Sequence, residues 1–269
     1  MAANLDLLPP GTTKLFRVDF DYYTPRPHFI VLGKSKQITW SSYDGQNSQF
    51  VEELMRVANK IRGNFGLRKP LLSVHRGSWL VPGKDDKFHA HICTDSDTYM
   101  RVFNDKKGLI PGWPSSRYVT KEWRASKNPS HYEENVRRYP YKEYFDDEIK
   151  QARRRLEAGN VRPWANPEGW TLFFHESAAR VGFAPTGQQS REDLLIAMER
   201  FIREHATGSE RMLGCHVCLA LTAEACDGFP SPVFGYIQLS ADDFCNGCPA
   251  DYANGWLSRF EQEKLPTLT

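Results

Sequence analysis

Apolar and polar residues alternate in short runs along this chain, and most runs end at a turn-forming residue. Leu15 to Asp21 (LFRVDFD) alternates with the period of two that turns one side of a strand toward a core. A proline turn, Tyr22 to Pro27, separates it from a second strand over His28 to Leu32, ended by Gly33. Phe50, Leu54, Val57, Ala58 and Ile61 recur at helical spacing and predict an amphipathic helix over 48–64. Leu71 to His75 predicts a third strand, and a glycine-containing loop (Gly77 to Lys84) leads to Lys87-Phe88-His89-Ala90-His91-Ile92-Cys93. In a strand, Lys87, His89 and His91 share one face, while Phe88, Ala90 and Ile92 turn to the core.

The same order of elements recurs after residue 165. Thr171 to His175 and Arg180 to Ala184 predict two strands. Ser190 with Asp193 forms the pattern of a capping box at the start of a helix over 190–205, with Leu194, Met198, Phe201 and Ile202 as its apolar stripe. Cys215 to Leu221 and Phe234 to Leu239 predict the last two strands. Matched by element order, Tyr236 falls where His89 falls and Gln238 where His91 falls. The second unit therefore repeats the plan of the first without its histidines.

Three nitrogen-bearing groups on one strand face suit a phosphate or a metal, and equally suit a hydrogen-bonded surface patch. The order strand, proline turn, strand, helix, strand, loop, histidine strand resembles the histidine-triad (HIT) superfamily. The resemblance rests on Thr24-Pro-Arg-Pro-His28-Phe-Ile-Val-Leu-Gly-Lys34, the helix, and the Lys-Phe-His-Ala-His-Ile-Cys run, and it covers residues 14–95. The family motif is three histidines alternating with apolar residues, and it fits residues 87–93 with Lys87 in the first histidine position.

That resemblance implies an α+β fold with an antiparallel sheet, here as two tandem HIT-like lobes forming an intramolecular pseudo-dimer within a monomer. The segments would be 1–110, a basic-aromatic linker with a helix over 111–165, and a degenerate lobe over 166–269. It implies that His89 is the nucleophile attacking a nucleotide α-phosphate through a covalent nucleotidyl-histidine, with His91 in the third position. The resulting activity would be that of a nucleotidyl hydrolase or transferase. A neutral imidazole is nucleophilic near neutral pH, and a covalent intermediate divides one hard step into two. Lys87 would supply a cation to a phosphoryl oxygen. By the same similarity, an acidic residue ending the first strand, Asp21 or else Asp19, would hold the ribose. His75, Arg76 and Lys84 are placed by position to contact phosphates. The alternatives are a catalytically weak nucleotide- or nucleic-acid-binding module, a scaffold, or a metal-dependent hydrolase using His89, His91 and Asp95.

Six cysteines include two C-x-x-C pairs, Cys215/Cys218 and Cys245/Cys248. Such pairs read either as a structural zinc site or as buried thiols. Cys245-Asn-Gly-Cys248 has the turn chemistry of a metal knuckle, whereas Cys215 and Cys218 would face opposite sides of a regular strand. No organic cofactor is implied, and neither a Walker-type phosphate loop nor a dinucleotide fingerprint occurs.

The formal net charge of +2 over 269 residues argues against a broadly basic surface. Residues 117–142 nevertheless hold seven Lys/Arg against three Glu, a local excess of 7 − 3 = +4, interleaved with Tyr118, Trp123, Tyr132, Tyr139 and Tyr141. With Trp113 just before it, this stretch reads as a packed tether or as an RNA or DNA contact over 113–142, with packing favoured for most of the aromatics. A second helix is predicted over 144–158 from its acidic start, basic end and Gly159. No signal-peptide pattern and no apolar run of 18 residues occurs, which predicts a soluble cytoplasmic or nuclear chain.

Overall fold

The computed structural model describes residues 6–20, 27–35, 38, 48–76, 88–110, 134, 136, 164–175, 180–205, 215–226 and 231–239, without the side chains of Ser48, His75, Arg76 and His175. The described strands are β1 (Phe16–Phe20), β2 (His28–Gly33), β3 (Leu71–Arg76), β4 (His89–Cys93), β5 (Trp170–His175), β6 (Arg180–Pro185), β7 (Cys215–Ala220) and β8 (Gly235–Gln238). The described α-helices are α1 (Ser48–Phe65), α2 (Ser96–Lys106) and α3 (Arg191–His205). The chain is thus α+β. The strands lie within two residues of the alternating runs that predicted them. The helix expected over 144–158 lies outside the described residues.

All eight strands join one antiparallel sheet in the order β1-β2-β4-β3-β7-β8-β6-β5. From each edge inward the order is first, second, fourth and third strand of that half, and β3 meets β7 at the centre. There Ser73 faces Cys218, Val74 faces Val217, and His75 faces His216.

Alternation divides the sheet into two faces. Phe16, Val18, Phe20, Phe29, Val31, Leu72, Val74, Ala90, Ile92, Leu172, Val181, Phe183, Val217 and Ile237 belong to one core, closed by apolar residues of α1, α2 and α3. Leu54, Val57, Ala58 and Ile61 supply the buried stripe of α1. Leu194, Met198, Phe201 and Ile202 supply that of α3. Val136, from the segment expected to tether the halves, is buried in this same core, and its carbonyl accepts a hydrogen bond from Ser96 Oγ at 3.1 Å.

The sequence pattern did not suggest α2. It begins directly after β4, where Asp95 accepts a hydrogen bond from the Thr98 amide at 2.7 Å as the N-cap. Tyr99, Met100, Val102 and Phe103 then form its buried face. The capping box expected for α3 is present: Ser190 N donates to Asp193 Oδ2 at 2.9 Å, and Asp193 N donates to Ser190 Oγ at 3.0 Å.

Both outer strands are blocked by a side-chain acceptor. Val18 N donates to Asp6 Oδ1 at 3.1 Å, and Leu172 N donates to Asn166 Oδ1 at 2.9 Å. Occupying an edge amide in this way reduces its availability to an incoming strand. No helix among the described residues is long and apolar enough to cross a membrane.

Candidate functional site

The site grows out of β4. Phe88, Ala90 and Ile92 are buried in the core, so the alternating residues His89 and His91 are delivered to the opposite face of the sheet. His91 is buried, whereas His89 is only partly so and lies nearer the rim.

β2 runs antiparallel to β4 with Ile30 facing His91 and His28 facing Cys93. This brings the fully buried His28 beside His91, with ring centroids 5.3 Å apart at 39°. His91 in turn lies 5.5 Å from His89, at 65°. Three imidazoles are therefore joined by two ring contacts, His28–His91 and His91–His89, across two strands. The local sequence pattern did not identify His28 as a site residue. Its placement just after the proline turn was the available signal, but only the β2–β4 pairing makes it a neighbour of His91.

On the other side of β4, Ser73 of β3 faces His91 and is buried. Its hydroxyl accepts from Cys218 Sγ at 3.7 Å. Asp19 of β1 faces Ile30, which faces His91, so the carboxyl occupies the same row two strands out. Asp19 is 6 % exposed, and its Oδ1 has no hydrogen-bond partner among the described residues. Burial raises its pKa from 3.8 to about 7, with Arg17 and the Phe20 amide acting in the opposite direction. Near neutral pH this carboxyl is divided between its neutral and charged forms. It can therefore donate or accept a hydrogen bond.

Among the other expected site residues, Asp21, Lys84 and Lys87 lie outside the described residues. His75 and Arg76 belong to β3, facing His216 and Cys215 of β7 in the ladder. The structure thus puts His89 and His91 in ring contact, adds His28 and Ser73 beside His91, sets Asp19 two strands away on the same face, and leaves the phosphate-contacting assignments as expectations.

Cys215 and Cys218 are separated by the pleat. Cys215 packs into the main core, and Cys218 joins a second cluster on the opposite face with Leu71, Cys93, Phe234 and Tyr236. The regular strand over Cys215–Ala220 prevents the pair from gripping one metal as a C-x-x-C knuckle does. Cys245 and Cys248 lie outside the described residues. Among the described residues no group of three or more His, Cys, Asp or Glu is arranged to hold a metal.

A polar cavity of about 980 Å³ lies at the far end of β4, lined by Arg68, Lys69, Arg101, Asp95, Asp97 and Glu224 among others. Its charges balance, and Asp95 is committed to capping α2. It does not adjoin His89, which begins β4.

No protein-family model and no curated protein matches the chain.

Proposed function

We propose that this chain is a HIT-like nucleotidyl hydrolase or transferase whose nucleophile is His89. The observation that carries the reading is the run of two ring contacts, His28–His91 and His91–His89, at 5.3 and 5.5 Å on the face of the antiparallel sheet opposite the main core. His89 stands at the more open end and attacks the α-phosphorus. A nitrogen–phosphorus bond forms as the bond from phosphorus to the leaving group breaks. Water or an acceptor hydroxyl then cleaves that bond and regenerates the imidazole. His91, buried between His28 and His89, orients the nucleophile, and Asp19 in the same row is available to a ribose hydroxyl.

The two halves of the sheet are read as tandem HIT-like lobes. Support comes from their common strand order and from the two edge acceptors, since Asp6 serves Val18 as Asn166 serves Leu172. Matching β1 to β5 and β2 to β6 by their ends takes Val18 to Leu172 and His28 to Arg180. Through the ladders it then takes His91 to Tyr236, Ser73 to Cys218 and Cys93 to Gln238. The register thus moves Tyr236 to the position of His91, two residues from the match by element order. Under either match the second half has no histidine on β8, so the chemistry belongs to the first half.

Single-turnover incubation with α-³²P-labelled nucleotides tests the reading, using nucleoside phosphoramidates, dinucleoside polyphosphates and capped or adenylylated nucleic-acid ends. The expected result is an acid-labile, base-stable protein label that is absent from His89→Ala. No label and no cleavage across the panel would overturn it.

A further inference from the structure

His91, Ser73, Cys218 and Tyr236 occupy one row across four neighbouring strands, β4, β3, β7 and β8. All four are buried, and they alternate with residues of the main core, so the row lies on the opposite face. Between Ser73 and Cys218 it crosses the centre of the sheet, where β3 of the first half meets β7 of the second.

Opposed side chains on one face of an antiparallel pair have Cβ atoms about 4.5–5.5 Å apart. Ser73 is therefore the neighbour of His91 on the side away from His28. The links beyond it are polar. Cys218 Sγ donates to Ser73 Oγ at 3.7 Å. Burial holds the Tyr236 phenol well above the ordinary phenol range against the influence of Arg180, and a hydrogen bond with Cys218 acts in the same direction as burial. A hydrogen bond that favours the neutral phenol is one the phenol donates. Donation thus runs one way along the row, from phenol to thiol to hydroxyl, and ends beside His91.

His91 is held from two sides: His28 touches its ring from β2, and Ser73 confines it from β3. Three staggered positions are open to a serine hydroxyl. The thiol selects among them, because a buried oxygen loses stability when it loses its partner.

We propose that Ser73, Cys218 and Tyr236 are positioning residues for His91, so that the second half of the sheet serves the site of the first. The inference rests on the reading of His91 as part of the nucleotidyl-transfer site. It gives the half without histidines on β8 a part in the reaction that requires no ligand of its own.

The test compares Ser73→Ala, Cys218→Val and Cys218→Ser in the full chain. Valine keeps the bulk of the thiol and removes the donor, whereas serine keeps a donor in a smaller side chain. The first readout is the long-range ¹H–¹⁵N spectrum of the imidazoles, with His91 assigned by its loss in His91→Gln. Ser73→Ala and Cys218→Val should each move the His91 resonances, while those of His205, at the end of α3, stay in place. The second readout is single-turnover cleavage of the best nucleotide substrate. The rate should fall about fivefold in those two variants at unchanged substrate affinity, and Cys218→Ser should hold it within about twofold of wild type.

His91 resonances unmoved in both Ser73→Ala and Cys218→Val would overturn the proposal. So would cleavage by Cys218→Val at least as fast as by Cys218→Ser, since bulk alone would then matter at that position. Displaced His91 resonances in a protein whose wild type gives neither label nor cleavage would uphold the positioning of His91 and overturn the nucleotidyl reading.

Discussion

The His28 and His91 rings lie 5.3 Å apart although 63 positions separate them, because β4 returns antiparallel beside β2 with α1 and β3 looped out between them. A buried imidazole in ring contact with a second imidazole constrains the second ring's tilt, and through it the ring of His89.

The first prediction follows from that contact. His28→Phe keeps an aromatic ring in the space and removes both nitrogens. If His28 sets the orientation of His91, turnover should fall by about 10²-fold, the lower part of the range for a positioned acid–base group, with KM little changed. Steady-state kinetics on the best nucleotide substrate would check this. A rise in KM alone would assign His28 to binding and remove it from the positioning chain.

Much of the sheet was legible because a strand half-buried in a core must alternate, and runs such as Phe16–Phe20 and His89–Cys93 do so. The helix α2 was not, although Asp95 and the spacing of Tyr99, Met100, Val102 and Phe103 carried its signal. It follows β4 after one intervening residue besides its cap, so Thr94 and Asp95 are the boundary between strand and helix. His28 escaped for a different reason: strand neighbours distant in sequence leave no local periodicity. For Cys215 and Cys218 the alternation of a strand already set the two thiols on opposite sides, and the strand over Cys215–Ala220 places them so.

Glu53 gives a prediction about stability. It is buried on α1, and its Oε1 accepts hydrogen bonds from the Lys14 and Leu15 amides at 2.6 Å each, just before β1 begins. Arg56 pairs with its other oxygen at 3.3 Å. Glu53→Leu would leave two amides without their acceptor and should cost about 2–4 kcal/mol. Glu53→Gln retains one acceptor oxygen and should cost less. Urea denaturation of the two variants would show the order, and equal losses would mean that the amides are served by water.

Gly235 tests the packing of the second half. A Cβ there would come within 2.7 Å of the Cys218 carbonyl oxygen and 3.0 Å of Met198 Cε, between β7 and α3. The methionine tip can move, but the backbone carbonyl belongs to a sheet ladder. Gly235→Ala should therefore destabilise by about 1–3 kcal/mol, the usual cost of overpacking. A melting temperature equal to wild type would show that β8 shifts freely.

Asp19 couples the site to pH. Its folded pKa of about 7 lies above the ordinary value of 3.8, so between those values the folded chain holds a proton that the unfolded chain has released. The sign follows: stability from this group is fully present below about pH 4, declines as pH rises, and is lost once pH passes about 7. Asp19→Asn mimics the neutral carboxyl and should remove that decline. Relative to wild type the variant should gain stability as pH goes from 5 to 8, by on the order of 1–4 kcal/mol. Denaturant titrations of both proteins across this range decide it, because parallel pH profiles would mean that Asp19 is ionised throughout. The same ionisation bears on function. If the charged carboxylate accepts from a ribose hydroxyl, KM for a ribonucleotide should fall as pH rises through 7, and KM for the corresponding 2′,3′-dideoxynucleotide should not.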